Sequence, residues 1–271
     1  MRKFIFNGVE ISDTSVFMLT GTGNTDGGTV SRKEISYVDT DGYEITDILF
    51  NARTIEIYGF LTASTKEEFE ALKQKLIVAC NPKKKTLLQY FAHSVSYSAN
   101  CYPAQLPSFN KINNKSAEFT VYIDLYEFYW LSLENLLNPV FEQRDMISSS
   151  FTLPAVFSQR INEAEIINDG CAPAYPVFEI YRVGEFLEEN ILIRNDTTGQ
   201  CITLNYIPEL DEKITIDCYL RKITSSVNGN IIDKITSDSD FIRYDEGVNK
   251  ITANGVGISV LSTHKNKYLG V

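Results

Sequence analysis

The chain is poor in the residues that most often carry chemistry. It has two histidines, His93 and His264, one tryptophan and three methionines in 271 residues. Two distant histidines starve both a zinc site and a Ser-His-Asp arrangement of parts. The five cysteines, at 80, 101, 171, 201 and 218, are odd in number and form no CxxC pair, so neither a disulfide framework nor a zinc ribbon is indicated and reduced thiols are expected. No uncharged apolar run reaches the roughly 18 residues of a membrane span, and the start, Met1 to Glu10, lacks the apolar core of a signal peptide. The expectation is a chain folded in a cytoplasm, with no membrane insertion. Cationic clusters are scarce as well. Net charge is −10 and the one basic run is Lys83-Lys84-Lys85, which disfavours sequence-independent nucleic-acid binding.

What is abundant is aromatic and apolar. Fifteen tyrosines, 16 phenylalanines and a 44% hydrophobic share provide core material and favour strands, where rings and β-branched side chains fit a pleated surface. The length suggests two domains. Around Phe4, Phe6 and Val9 a first strand is expected. The polar run Gly21 to Gly28 reads as a long mobile loop; it lacks the Gly-Lys-Ser/Thr ending of a phosphate-cradling loop and opens no helix. Thr54 to Phe60 alternates with the period of two of a half-buried strand. Ser64 or Thr65, with Glu67 or Glu68 three residues on, has capping-box spacing, and Phe69, Leu72, Leu76 and Ala79 form an apolar stripe, so the spacing predicts a helix over about 65–79, stopped by Asn81-Pro82. Thr86 to Phe91 and Val95 to Tyr102 read as a strand pair. Ala117 to Tyr129 reads as the strongest strand, with Phe119, Val121, Ile123 and Leu125 on one face. The irregular, proline- and serine-containing stretch 132–165 holds a boundary, placed at 142. Beyond it, 176–181, 190–195, 201–206, 213–222 and 249–254 read as short strands of a sandwich, with Asn228-Gly229 as a type I′ hairpin turn and a further turn at 245–247.

The carboxylate pairs Glu163/Glu165, Glu188/Glu189 and Asp211/Glu212 lie in turn-like segments and read as solvated loop charges rather than as a glycosidase acid and base. Asp233, Asp238, Asp240 and Asp245 lack the spacing of a compact calcium loop. Tyr126, Phe128, Tyr129 and Trp130 are either a core or interface group or a sugar-stacking platform. No catalytic, cofactor-binding or metal-ligating residue is assigned, and no cofactor.

The landmarks in order resemble those of a known family. Asn168-Asp169-Gly170-Cys171-Ala172-Pro173-Ala174-Tyr175-Pro176-Val177-Phe178-Glu179-Ile180 is similar to an opening strand of pattern N-x-G-x-A-x-x-Y-P-x-x-x-I. Asn195 to Gln200 before Ile202-Thr203-Leu204, then Lys213 to Asp217, Ser237 to Phe241, and Gly247-Val248-Asn249-Lys250-Ile251 follow. The whole resembles the distal tail proteins of siphophages and related tail-like particles. Two positions depart from the pattern: Phe128 stands where many relatives have Pro, and Glu246-Gly247 where they have Pro-Gly. The resemblance implies a mainly β chain with a ring-forming, β-sandwich-like N-terminal domain (1–142) bearing one helix and a galectin-like or jelly-roll C-terminal β-sandwich (143–271). It implies a non-enzymatic subunit of a tail tip or baseplate, located in the virion tail and made in the bacterial host cytoplasm. Its copies would form a hexameric ring, single or as two rings back to back, joining the tail tube protein to tail-tip or receptor-binding proteins, with DNA only as passing cargo. The alternative is a carbohydrate-binding, host-adhesion module.

Overall fold

The computed structural model describes all residues except 1, 26, 39–40, 93–94, 146–157, 162, 184–189, 255–256 and 271; side chains are further undescribed at 141–145 and 158–161. The chain divides into two units, one of Met1–Leu133 with Tyr268–Val271 and one of Glu134–Lys267. Residue 142, the expected boundary, lies within a strand, Leu136–Asp145, that pairs along the second unit's sheet.

The first unit is built from β1 (Arg2–Phe6), β2 (Val9–Ser12), β3 (Phe17–Gly23), β4 (Val30–Ile35), β5 (Glu44–Phe50), β6 (Arg53–Thr62), α1 (Lys66–Ala79), β7 (Thr86–Ala92), β8 (Val95–Pro103), β9 (Ser108–Asn113), β10 (Ser116–Leu125) and β11 (Trp130–Ser132). Its main sheet runs β11-β8-β7-β1-β2-β3-β6-β10-β9, and β8 also pairs with β10 (Ile123↔Pro103, Leu125↔Cys101), so the sheet curls closed around its core. That core holds Phe4, Phe6, Ile55, Ile57, Val121, Ile123 and Leu125, the inward residues of period-two strands. Helix α1 adds Phe69, Leu76 and Ala79. The Thr65 hydroxyl accepts the Glu68 amide at 3.1 Å and the Glu68 carboxylate accepts the Ser64 amide at 2.8 Å, which satisfies first-turn donors.

Several expectations change here. The first strand is two, because Asn7 and Gly8 take positive φ (45° and 75°) and turn β1 into β2, the type I′ geometry that an Asn-Gly pair supports. Gly21 and Gly23 belong to β3 instead of a mobile loop: they pair with Tyr58 and Glu56 of β6, and a Cβ at either position would stand about 3.4–3.5 Å from those side chains. Thr25 is buried and the Asn24 amide donates to the Thr54 carbonyl at 3.1 Å. The long strand ends at Leu125, and residues 126–129 bend away from it.

The second unit contains β12 (Leu136–Asp145), β13 (Ser158–Ile161), β14 (Glu163–Asn168), β15 (Val177–Arg182), β16 (Ile191–Asn195), β17 (Cys201–Leu204), β18 (Lys213–Asp217), β19 (Lys222–Ser225), β20 (Gly229–Asn230), β21 (Gly247–Ala253) and β22 (Ile258–His264). A seven-stranded sheet, β13-β12-β22-β15-β18-β19-β20, and a four-stranded sheet, β14-β21-β16-β17, share a core of Phe178, Ile180, Ile193, Ile202, Ile214, Ile216 and Ile251. The stretch expected as one strand over 213–222 is broken at 218–221, where Arg221 takes φ 52° and reverses the chain into β19. At Asn228-Gly229 only Gly229 has positive φ (69°), and Ser225 pairs with Gly229 across three residues, so this is a three-residue loop, not a type I′ turn.

Three asparagines fix the ends of these strands. Asn168, Asn195 and Asn249 are all fully buried. Asn168 donates to the carbonyls of Ala172 and Tyr244, both at 3.0 Å, and accepts the Gly170 amide. Asn195 donates to the Arg243 carbonyl at 2.8 Å and accepts the Thr197 amide at 3.0 Å. Asn249 exchanges two bonds with the backbone of Asp245, at 3.0 and 2.7 Å. Turn backbone that buried loops would leave unpaired is thereby satisfied.

Candidate assembly interface

The residues weighed for chemistry do not converge. His93, Glu188 and Glu189 lie outside the described residues. His264 is buried on β22. Glu163 and Glu165 flank Lys250 at 3.8 and 3.7 Å. Asp233 pairs with Lys234 at 2.9 Å and Asp245 with Arg243 at 3.0 Å. Glu212 is buried and accepts hydrogen bonds from the Tyr206 hydroxyl (2.6 Å), the Glu209 amide (2.6 Å) and the Ser225 hydroxyl. Burial pushes its carboxyl up, but those donors outweigh burial and hold it below the ordinary carboxylate value. Among the described residues no three His, Cys, Asp or Glu side chains stand together as a metal site would require.

The outstanding feature is the hairpin β4–β5. It is a two-stranded sheet with no hydrogen-bonded partner strand among the described residues. Every residue of β4 is exposed, and of β5 all but Asp47. Such a ribbon is marginal in water unless something covers it. Its sequence is not that of a solvated ribbon: Val30, Ile35, Ile45, Ile48, Leu49 and Phe50 are all exposed by more than 40%, and Val38 beyond them by 91%. Ahead of β5, Gly42 takes φ 100°.

The foot of this arm is firmly held. Asn51 donates its amide to the Thr29 carbonyl at 3.0 Å, and its side chain bonds Ser31 at 3.0 Å and Thr29 at 3.3 Å. Phe50 stacks on Phe128 with centroids 4.4 Å apart. The Arg53 guanidinium lies 5.2 Å from the Phe128 ring centroid and 5.8 Å from that of Trp130, and donates to the carbonyls of Gly27 (3.0 Å) and Leu269 (3.3 Å). The buried Trp130 indole donates to the Thr25 carbonyl at 3.3 Å. Phe128, Tyr129 and Trp130 thus belong to the core and the foot of the arm, while Tyr126 is exposed and packs on Tyr102. Phe128, one of the two departures from the family pattern, packs so closely on Gly28 that a Cβ there would fall 2.2 Å from its ring. Sequence reasoning did not read residues 30–50; the available signal was the alternation of Glu44 to Phe50 beside the Asp41-Gly42 turn.

The chain matches two families in order: the phage tail protein RIFT-related domain over residues 7–124, and the siphovirus-type tail component, C-terminal domain, over residues 169–268. No curated protein sequence matches it. Among solved structures it is similar to the Dit protein of phage SPP1, described as a paradigm of the hub adsorption apparatus in phages infecting Gram-positive hosts. That likeness has a TM-score of 0.74 at 11% identity, with 99% of this chain and 100% of that one covered. It is also similar to chains of the phage p2 baseplate in its activated conformation. With calcium the TM-score is 0.60 at 12% identity, and with strontium 0.58 at 13%, each covering 100% of both chains. With both units matched in chain order by the domains of one kind of tail component, the chain belongs to the distal tail protein family of siphophages, and its fold is that of the SPP1 Dit protein.

Proposed function

We propose that this chain is a non-enzymatic subunit that closes a ring of six at the end of a tail tube, and that the β4–β5 arm makes the contact between neighbours. The observation that carries this reading is the arm itself, a ribbon with apolar side chains in water and a foot fixed by Asn51, Phe128 and Arg53. Covering it with an adjacent copy removes apolar surface from water and blunts two open strand edges, and cyclic closure does so for every copy at once. The ring would join the tube protein to tail-tip or receptor-binding proteins. An acidic chain also suits a channel through which DNA passes as cargo without adhering. Synthesis in the bacterial host cytoplasm accords with thiols that are all unpaired among the described residues.

Light scattering on the purified protein tests the ring. The expected mass is six copies, or twelve if two rings stack, and the variant Ile45→Ser/Ile48→Ser/Leu49→Ser should run as a monomer with an unchanged melting temperature. A triple variant that assembles like wild type would remove the arm from the interface.

A second reading, glycan binding, has one observation in its favour: Tyr175 and Tyr219 are exposed rings 5.8 Å apart. They are inclined by 58° and share Lys267, whose ammonium lies 5.0 and 6.0 Å from the two centroids, which is a poorer platform for a flat sugar face than coplanar rings. Glycan-array binding by the intact chain, abolished by Tyr219→Ala, would favour it.

A further inference from the structure

Two surfaces that the reading above leaves unused are complementary to each other. The first is a groove of about 640 Å³ beside the C-terminal half of α1. Its floor is Ala71, Val78 and Ala79, its rim Lys75 and Lys84, and one end is formed by Asn7, whose side chain donates to the Ala79 carbonyl at 2.7 Å. Val78 is 66% exposed although it sits in a helix packed on the core. In a chain of net charge −10, residues 71–85 carry five lysines and no acidic residue. Lys73 stands 3.9 Å from Glu70 and Lys85 lies over Tyr126. Among the described residues Lys75, Lys83 and Lys84 take part in no ion pair.

The second surface is the loop 205–212. Ile207 and Leu210 are 61% and 65% exposed, with Glu209 and Asp211 beside them, also exposed, and no cationic residue in the loop. Its underside is locked. Pro208 is buried and its carbonyl accepts from the Arg182 guanidinium at 2.7 Å, while the buried Glu212 carboxylate collects the Tyr206, Ser225 and Glu209 donors. A loop fixed from beneath, with two aliphatic and two anionic side chains outward, has little ordering entropy left to lose on docking.

We propose that the 205–212 loop of one copy seats in the lysine-rimmed groove of a second copy, Ile207 and Leu210 on the Ala71/Val78 floor and Glu209 and Asp211 on Lys75 and Lys84. Copies that each carry −10 repel in most orientations, so a contact joining the one strongly cationic stretch to an anionic loop is favoured over others. The two surfaces differ, which makes the contact heterologous, the kind that closes into a ring when the rotation between copies allows it. The proposal rests on the reading that copies of this chain assemble, and adds to the arm a second, charge-selective contact.

The test uses the full chain. Lys75→Glu/Lys84→Glu alters the groove. Glu209→Lys/Asp211→Asn alters the loop, Asn being chosen because Asp211 holds φ 61°. All four sites are exposed, and circular dichroism checks that each variant folds. Sedimentation velocity should show about tenfold weaker self-association for either double variant, recovery when the two are combined in one chain, and weakening of the wild type by added salt. Carbodiimide cross-linking of a mixture of ¹⁴N and ¹⁵N chains should join Lys75 or Lys84 to Glu209 or Asp211 of differently labelled copies. Wild-type association by both variants, a combined variant as weak as its parents, or cross-links confined to one chain would each overturn the proposal. Measuring the arm variant in parallel separates the two ideas. Loss of assembly with the arm variant alone leaves the arm reading standing and removes this one; loss with the charge variants alone does the reverse. A monomeric wild type without cross-links between copies removes both.

Discussion

The Asn195 side-chain amide donates to the Asn249 side-chain oxygen at 3.1 Å, and neither residue is exposed to solvent. Asn249 also accepts the Asp245 amide and returns a bond to the Asp245 carbonyl, so one buried side chain ties β16, β21 and the turn before β21 together. Asn249→Ala removes the acceptor of the buried Asn195 amide and of the half-buried Asp245 backbone amide, and an unsatisfied buried group costs about 1–3 kcal/mol. The expected loss is about 3 kcal/mol of the second unit's stability, read from the urea midpoint. A loss under about 1 kcal/mol would mean that water replaces the side chain.

Gly170 is required for space. A Cβ there would stand 2.6 Å from the Lys267 carbonyl oxygen and 2.7 Å from its amide nitrogen, both backbone atoms that cannot rotate away. Gly170→Ala should cost about 2 kcal/mol. Gly8→Ala, with open space but φ +75°, should cost about 1 kcal/mol through conformation alone. Thermal unfolding of both variants separates the two causes; equal losses would contradict the steric one.

Arg53 governs the foot of the arm. Arg53→Ala removes hydrogen bonds to Gly27 and Leu269 and the cation from over Phe128 and Trp130, an expected loss of about 3 kcal/mol in the first unit. Hydrogen exchange at the Asn51 amide, bonded to Thr29, should accelerate more than exchange at the helix α1 amides. Arg53→Lys keeps the charge without the planar fork and should fall between. Uniform acceleration throughout the unit would deny Arg53 a local role.

Acid should weaken the second unit in two stages. Burial lowers the His264 pKa from its ordinary 6.5, so the unfolded state binds the proton more readily. Stability present above about pH 6.5 is therefore lost as pH falls toward the lowered folded value. The Glu212 pKa is also lowered from 4.5, which adds stability above that value that is lost as pH falls through the folded one. The denaturation midpoint should slope downward below pH 6.5 and again below pH 4.5. His264→Gln should flatten the first step and Glu212→Gln the second; unchanged slopes would contradict these assignments.

Thiol reactivity should be graded by burial. Cys80, Cys101 and Cys218 are buried and pushed up to about 12 by desolvation, while Cys171 is exposed. Maleimide labelling of the native protein should modify Cys171 first, Cys201 more slowly, and the three buried thiols only after denaturation, as read by peptide mass. Early labelling of Cys218 would show that the second unit's core opens.

Local rules determined much of this molecule from its sequence. Helix α1 was legible because caps and an apolar stripe act within a few residues: Thr65 with Glu68, then Phe69, Leu76 and Ala79. Strands β6 and β10 were legible because period-two alternation reports burial of one face directly. The spacing of Asn168, Asn195 and Asn249 was visible, but their role as buried braces was not, since a side-chain amide reads as a turn residue until its distant carbonyls are in place. Tertiary structure alone decided that Gly21 and Gly23 join a strand, because the partner supplying Tyr58 and Glu56 lies more than thirty residues away. It alone closed the first sheet through β8 and β10 and brought Leu269 back to Arg53. Above all it left Ile45, Ile48 and Leu49 uncovered: a sequence shows that residues are apolar, but only the fold shows that nothing in the described chain buries them, and the proposed contact with a second copy starts from that difference.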